Sequence, residues 1–559
     1  IALRTILVVL IFTGVAVTLR SFTSSTGWLA VCWFLAAIGA YERMSLRPEL
    51  FSYALMMWLL AILLRGIRSK RHIAIGVALQ FLWVNLHSYF LVGLMMTGAF
   101  LLGSLWDAWR RPDAESRGRA KRLGVMLLLQ AAVCLANPWG VHGAIFPIET
   151  LAYLKQLKAM GGGPGDAGGS AWSLISEFHS PLSYLGERIN SRTIDAYLLL
   201  LAISATGLVV ALFRGRLASA IILVLLAVMS LQMRRNIAQF ALAGVPLAVG
   251  AMAPVGPMRD RLRIIQVLKG VLAICAAWWG FQIVTGQFYF RERRITRQFG
   301  TGLSERTFPR EAVEWLANQP DLQPNLFVDY FSSSNTLPWL PPRFKLFVDT
   351  NTFACPEPVL REAFDVGLGK LDHNAVFDRS RVNIVLLHCG PDTQTLVMRM
   401  VADYTNWALV HFDRQAVIFV RRIPEHVAVI RANPTNADHL DAAKWIASYD
   451  EPACTKALSL GSAAAVPISL GWYGPAATLA REAVRLAADY HDGWYFLAIC
   501  EAHLGNDARH AGKMSEARGH YQAALDAAER VIALAPDYNA AQIRQLRDDM
   551  TQYLAAMPR

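Results

Sequence analysis

Ten apolar segments, each fifteen or more residues long, occur in the first half of this 559-residue chain. A bilayer core about 30 Å thick is crossed by about 20 apolar residues in a helix, and by somewhat fewer in bundles with short helices. The sequence therefore predicts a polytopic α-helical membrane bundle. The ten predicted spans are residues 3–19, 26–42, 50–65, 72–86, 89–109, 123–137, 194–213, 217–233, 237–254 and 264–285.

The composition indicates two environments in one chain. Hydrophobic residues make up 54% of the chain, charged residues 17%, and the mean hydropathy is +0.32, which is too apolar for one soluble globule. The net charge of +12 is spread over short connectors, so we expect no nucleic-acid partner. Seven scattered cysteines without a CxxC pair predict neither a zinc site nor a disulfide framework.

Lysine and arginine are divided unevenly between the connectors. Sixteen lie in alternate connectors, and the short connectors on the opposite side carry Arg43, Arg47, Arg234 and Arg235. By the positive-inside rule the first set is cytoplasmic. We therefore expect a multi-pass protein of the inner (cytoplasmic) membrane. The long loop 138–193 and all residues after 286 would then be extracytoplasmic.

The chain begins with an apolar run at Ile1 and has no initiator methionine. The predicted orientation makes this first span run inward. We therefore expect a further span and an outer loop upstream of Ile1.

Residues 286–425 have the mixed charge of soluble protein and short strand-like runs. The predicted strands are residues 325–331, 344–350, 382–389, 407–412 and 416–422, the last two forming a hairpin. This pattern predicts a small α/β domain after the bundle of residues 1–285.

Residues 435–559 change to an alanine-rich helical periodicity that resembles two imperfect tetratricopeptide (TPR) repeats. An insert around Asp507 to Lys513 breaks the 34-residue period of such repeats, and a generic helical hairpin is the alternative. Repeats of this kind are usually docking surfaces, so a protein partner is expected here.

Polar residues that are costly to solvate in a bilayer collect at the predicted outer edge of the bundle. They come from distant parts of the chain: YERMSLRPE (41–49), NLHS (85–88), NPWGVHG (137–143), ISEFHSP (175–181) and RRN (234–236). Their convergence on one edge predicts a binding site there.

The cationic candidates each have a structural alternative. Arg43 and Arg47 could hold a phosphate, or they could pair with Glu42 and Glu49 at a water interface. The pair Arg234–Arg235 breaks the positive-inside pattern, which favours binding of an anionic head group or pyrophosphate; the alternative is that both side chains face water.

The remaining candidates are uncharged or acidic. His87 could act as an acid, a base or a phosphate donor beside Asn85, or both could cap and link helices. Glu177 and His179 lie on the long outer loop, next to a glycine-rich stretch, 161–170, that could let the loop move over a substrate. Together they could orient a hydroxyl or bind a divalent ion, although two ligands alone do not make a metal site.

Taken in order, several motifs resemble bacterial multi-span membrane proteins of the GT-C glycosyltransferase type over residues 1–425. The motifs are RPELFSY, WVNLHSYFLVG, LANPWG, EFHSP, RRNIAQFAL, FVDT and NWALVHFDRQAVIFVRR. The resemblance implies transfer of a sugar from a polyprenyl-phosphate carrier to an acceptor on the extracytoplasmic face. A non-catalytic, membrane-anchored TPR scaffold of envelope assembly is the alternative.

The resemblance also implies roles for particular residues. Arginines would bind the phosphate, and neighbouring polar groups would line the cavity. The expected substrate-binding residues are therefore Arg47, Asn85, His87, Arg234 and Arg235. Glu177 and His179 become auxiliary contacts to the acceptor or to a divalent metal ion, Mg²⁺ or Mn²⁺. The catalytic carboxylate is expected upstream of Ile1, and Asp349 in FVDT marks a strand end.

Overall fold

The protein is mostly helical, with one small mixed β-sheet. The computed structural model describes residues 2–159, 175–185, 191–253, 263–292, 298–300, 308–350 and 355–557. The chain forms two compact units, Ile1–Trp279 and Gly280–Arg559. The glycine-rich stretch 161–170, predicted to let the loop move, lies outside the described residues.

The first unit consists of helices joined by short turns, and α12 carries the boundary to the second unit. Their bounds are α1 Ala2–Arg20, α2 Thr26–Ala40, α3 Glu49–Arg65, α4 Lys70–Leu86, α5 Leu91–Arg110, α6 Ala114–Val133, α7 Val141–Ala159, α8 Ser191–Phe213, α9 Leu217–Gln232, α10 Ile237–Gln239, α11 Val245–Met252 and α12 Arg263–Val284.

Three helices within the described residues are long and apolar enough to cross a membrane: Ala2–Arg20, Ser88–Arg110 and Ile194–Phe213. Helices also form at the other predicted segments, but they are shorter or more charged. Helix α3 has 17 residues and α2 has 15, because turns end them early. Helix α6 carries five charged side chains in its first half. Hydropathy located these helices but did not predict where they end.

Two central helical segments are buried on most of their sides. In α3, eleven of 17 residues are buried. Residues 237–251 are all buried, and they include a π-helical turn, Phe240–Gly244, directly before Pro246. Proline has no N–H to continue an α-helical ladder, and π turns often mark such adjustments. The first residues of both segments, Glu49 and Ile237, adjoin the connectors that carry the predicted site.

Small residues allow the helices of this unit to approach closely. A Cβ on Gly14 of α1 would lie 2.7 Å from the Met57 Cβ of α3, and a Cβ on Gly207 of α8 would lie 2.5 Å from the Ala248 Cα of α11. Small residues at helix interfaces are typical of packing between membrane helices.

The second unit contains a five-stranded sheet of order β2-β1-β3-β5-β4. Strands β1, β2 and β3 are parallel, whereas β5 pairs antiparallel with both β3 and β4. The strands are β1 Asn325–Val328, β2 Lys345–Leu346, β3 Ile384–His388, β4 Trp407–Phe412 and β5 Ala416–Arg421. All five lie within the predicted runs, and β4–β5 form the predicted hairpin.

Short helices surround this sheet, and a helical array follows it. The short helices around the sheet are α14 Arg310–Ala317, α15 Tyr330–Thr336, α16 Glu357–Gly367, α17 His373–Arg379, α18 Gln394–Ala402 and α19 Val427–Ala432. A further short helix, α13 Gln287–Arg291, packs against the helical array. The array consists of α20 Ala442–Ser448, α21 Ala453–Ser469, α22 Tyr473–Leu486, α23 His491–His510, α24 Met514–Leu534 and α25 Ala540–Ala556. The first residues of the predicted insert, from Asp507 to His510, form the end of α23.

Candidate functional site

Charged residues from three connectors meet at one end of the central helices of the first unit. We call this group the arginine cluster; its members are Arg43, Arg47, Arg234, Arg235, Glu42, Glu49 and Glu177. Glu49 begins α3, where a carboxylate is favoured by the helix dipole. The structure thus brings together residues up to 192 positions apart in sequence.

Glu177 links the turn Ser176–Phe178 to the connector before α3. Its Oε1 lies 2.7 Å from Nη1 of Arg43 and 2.8 Å from Nη1 of Arg47. Arg43 also donates to Oε2 of Glu49 at 2.8 Å. Burial alone would raise the pKa of Glu177, but the two arginines outweigh it and lower the pKa to about 2. Glu177 is therefore an anion that orders the two arginines.

Arg234 is held on three sides. Its Nη2 donates to Oε2 of Glu42 at 3.0 Å, and its guanidinium lies 5.3 Å from the centre of the Tyr184 ring. Its backbone N–H donates to the carbonyl oxygen of His179 at 2.8 Å. With both its charge and its backbone engaged, Arg234 serves to fix the outer-loop segment against the turn Arg234–Asn236.

Arg235 differs from its neighbour because no ion pair among the described residues includes it. Its Nε is buried without a hydrogen-bond partner there, and its guanidinium lies between the rings of Tyr89 (5.3 Å) and Phe178 (5.5 Å). Burial alone would lower its pKa, but Tyr89 and Glu49 outweigh that effect and raise it. Arg235 is thus a fixed cation held in place by aromatic rings.

Two further polar atoms of the cluster lack partners within the described part of the chain. They are Nε of Arg43 and Oε1 of Glu49, and both are buried. A buried polar atom left without a hydrogen bond costs roughly 1–3 kcal/mol. Three side chains of the cluster therefore have an atom that can still form a hydrogen bond, to water or to a bound polar group.

His87 lies between α4 and α5 and belongs to a hydrogen-bond chain. The indole N–H of Trp83 donates to Oγ of Ser52 at 2.8 Å, and that hydroxyl lies 2.9 Å from Nδ1 of His87. Burial, then the charges of Arg235 and Arg43, lowers the pKa of His87 to about 4. His87 is therefore uncharged at neutral pH, which removes an imidazolium from the predicted roles.

Asn85 lines a cavity of about 540 Å³ together with His87. Its side-chain amide donates to the carbonyl oxygens of Phe81, at 2.9 Å, and Ala136, at 3.0 Å. The predicted interhelical link of Asn85 is thus present, and its amide oxygen remains free within the described part of the chain. His142 and Glu149 of α7 line the same cavity, and no sequence motif singles out Glu149.

The pair Glu177–His179 does not fit a divalent-ion site. The Glu177 carboxylate is occupied by two arginines, and Nδ1 of His179 lies 3.1 Å from the Tyr184 hydroxyl. Across the residues that the structure describes, no group of three or more His, Cys, Asp or Glu is arranged to hold a metal ion. The Mg²⁺ or Mn²⁺ allowed by the resemblance stays an untested prediction, and no step below depends on it.

Several residues of the site escaped the sequence reasoning. Tyr89 and Phe178 flank Arg235, and Tyr89 also donates to the amide oxygen of Asn236 at 3.2 Å. They occur inside quoted motifs, but an aromatic residue in an apolar span has no local signal that separates packing from cation binding. Comparison with known proteins adds no assignment: no protein-family model and no curated protein matches the chain.

Proposed function

We propose that this chain is a membrane glycosyltransferase that transfers a sugar from a polyprenyl-phosphate carrier to an acceptor on the extracytoplasmic face. The arginine cluster is the site for the phosphate of the carrier. Arg235 is the principal phosphate ligand, Arg47 assists it, and Glu177 with His179 order the loop at the acceptor side. The ten-span arrangement and the inner-membrane orientation are part of this proposal.

The single observation that carries it is that Arg235, held between two aromatic rings, forms no ion pair with any residue that the structure describes. The cluster contains four arginines and three glutamates, which leaves one excess positive charge. The phosphodiester of a polyprenyl-phosphate sugar carries one negative charge. Planar guanidinium groups bind phosphate oxygens in two-point geometry, so the excess charge and its chemistry match this ligand.

The position of the cluster also supports a lipid-borne ligand. It lies at the ends of helices whose outer surfaces expose large apolar side chains, such as Trp33 of α2 at 44% and Val228 of α9 at 47%. Apolar surface of this extent marks contact with membrane or with another protein. A prenyl chain in the bilayer would place its phosphate near the helix ends, where the arginines are.

The test is a lipid-sugar transfer assay on the full-length protein in nanodiscs. Arg235→Ala and Glu177→Ala should each lower transfer at least tenfold, because one removes the phosphate ligand and the other releases two arginines. Arg547→Ala, on the exposed surface of the second unit, is the matched control and should leave transfer unchanged. Undiminished transfer in both cluster variants would remove the site assignment.

The scaffold alternative rests on a separate feature of the second unit. A groove of about 570 Å³ is lined by aromatic side chains of the helical array, among them Tyr495, Phe496 and Tyr553. It would suit a peptide from an envelope partner. If the full-length protein lacks transfer activity but removal of residues 435–559 abolishes a native envelope complex, the scaffold is the function.

A further inference from the structure

The cavity beside the arginine cluster is built by the NPWGVHG segment. The Asn137 amide donates to the carbonyl oxygens of Cys134 and Gly140, both at 2.8 Å, and its oxygen accepts from the Trp139 N–H at 2.8 Å. A Cβ on Gly143 would lie 2.1 Å from that oxygen, so glycine is required for the fold of this turn. The turn directs α7 across the end of α4 and encloses the cavity.

The tautomer of His87 follows from its partners. The backbone N–H of Tyr89 donates to Nδ1 at 3.4 Å, and the Ser52 hydroxyl, which accepts from Trp83, has its own proton to give to the same nitrogen. Nδ1 therefore accepts two hydrogen bonds and cannot carry the proton. In the neutral ring the proton is on Nε2, which is free among the described residues and makes His87 a hydrogen-bond donor.

Hydrogen-bond acceptors line the same cavity. The Asn85 amide nitrogen donates both its protons to backbone carbonyls. In the part of the chain that the structure describes, neither the Asn85 amide oxygen nor the Glu149 carboxylate has a partner, and both residues line the cavity. His142 precedes Glu149 by two helical turns, so both lie on one face of α7. Trp139 and Phe146 add flat apolar surface to the lining. A few convergent polar groups among aromatic rings is the usual lining of a small-molecule site, and about 540 Å³ is a usual volume.

We propose that this cavity holds the sugar ring of the lipid-linked donor, with the Nε2–H of His87 donating to a sugar oxygen and Glu149 and Asn85 accepting from its hydroxyls. The inference rests on the proposed function, since it takes the phosphate to be bound at Arg235. His87 joins the two sites: its ring packs at 4.6 Å, edge to face, on Tyr89, which in turn flanks Arg235. The cavity is therefore next to the aromatic ring that holds Arg235.

The first experiment compares two soluble ligands of equal charge on the full-length protein in nanodiscs. Farnesyl methyl phosphate presents only the phosphodiester, and farnesyl phosphoryl hexose, tested as its glucose, mannose and galactose esters, adds the sugar. At least one hexose ester should bind about tenfold or more tighter than the methyl ester. Glu149→Gln should reduce the ratio of the two affinities, hexose ester to methyl ester, to about threefold or less and leave the methyl ester's affinity unchanged. His87→Phe should also reduce that ratio to about threefold or less.

The outcomes separate this inference from the proposed function. If the methyl ester binds and depends on Arg235, but no hexose ester binds more tightly, the sugar cavity is refuted and the phosphate site stands. If neither ligand depends on Arg235, the proposed function fails as well. Equal ratios in wild type and Glu149→Gln would also overturn the cavity assignment.

The second experiment measures the His87 tautomer without any ligand. In ¹⁵N-histidine-labelled protein, the His87 signal, identified by its loss in His87→Gln, should show an unprotonated Nδ1 and a protonated Nε2 at pH 7. Ser52→Ala should weaken that preference and keep the fold. A protonated Nδ1 in the wild type would contradict the donor role.

Discussion

Two buried glutamates, one in each unit, show how a structural charge cluster differs from a binding site. Glu501 on α23 is only 2% exposed, and its two oxygens bind Arg481 of α22 and, at 2.7 Å, Nδ1 of His520 on α24. Glu49 is 3% exposed and uses one oxygen for Arg43, while its second oxygen has no partner among the described residues. The first cluster is complete in the folded chain, whereas the second has hydrogen-bonding capacity left over.

The two clusters differ in how many of their buried polar atoms have hydrogen-bond partners. Charge alone does not separate the two clusters, because both combine buried carboxylates with arginine. The buried polar atoms without hydrogen-bond partners distinguish them. Burial of such an atom is costly, and proteins keep it mainly where the atom serves a function such as ligand binding. The first cluster fastens three helices, whereas in the second the Nε donors of Arg43 and Arg235 have no partner among the described residues and can bind an anion.

The largest effect should come from exchanging each glutamate for its neutral isostere. Glu501→Gln loses the ion pair with Arg481 and the carboxylate oxygen next to His520 at a buried position, and it should lower the unfolding free energy of its unit by about 2 kcal/mol. Glu49→Gln should cost about 1 kcal/mol, since its free oxygen can become the amide group and the other oxygen still accepts from Arg43. Hydrogen exchange of α22–α24 and of α3 in the full chain measures both. Equal losses of unfolding free energy in Glu501→Gln and Glu49→Gln would show that the two clusters do not differ in this way.

Acid should weaken the arginine cluster through Glu177. Its pKa in the folded chain is about 2, below its value of 4.5 in the unfolded chain, so its contribution is present above pH 4.5 and is lost as the pH falls towards 2. Because the carboxylate is about a third exposed, the loss should be about 1 kcal/mol. Protection of residues 175–185 in hydrogen exchange should follow this window.

Two variants control the acid experiment. Glu177→Gln should flatten the pH profile of that loop, whereas Glu149→Gln, at an exposed position without an ion pair in the described chain, should keep it. An unchanged profile in Glu177→Gln would mean that other carboxylates order the loop.

A smaller effect should follow from loosening the outer loop alone. The Ser180 hydroxyl donates to the carbonyl oxygen of Leu231 at 2.7 Å, which fastens the loop to the end of α9. Ser180→Ala should cost about 1 kcal/mol and raise proteolysis within residues 175–185. Ser183→Ala, which loses a bond only within its own turn, should not. Equal cleavage of both would show that Glu177 and the backbone suffice to hold the loop.

The sequence predicted the existence of the helices and strands better than their extent. Apolar periodicity located every strand of the sheet, but the short α3 and the π turn before Pro246 depend on packing that no local pattern shows. Convergence of Arg47, Glu177 and Arg235 was predicted from span ends alone. The partners of Arg235 were not, because Tyr89 and Phe178 look like ordinary core residues until the helices are assembled.

The roles within the site were also less predictable than its location. His87 was a candidate acid or base, but its pKa depends on burial and on two arginines distant in sequence. Its donor role depends on Ser52, 35 residues away. Glu149 went unnoticed because nothing near it in sequence marks a cavity that forms only when α7 crosses the end of α4.

The central claim is that the incomplete cluster binds a lipid phosphate through Arg235. Its most direct test is the affinity of farnesyl methyl phosphate for the full-length protein in nanodiscs, measured for wild type, Arg235→Ala and Arg481→Ala. We predict a loss of roughly 30-fold in Arg235→Ala, about 2 kcal/mol of charge-assisted hydrogen bonding, and none in Arg481→Ala. Equal affinity of the wild type and Arg235→Ala would contradict the account.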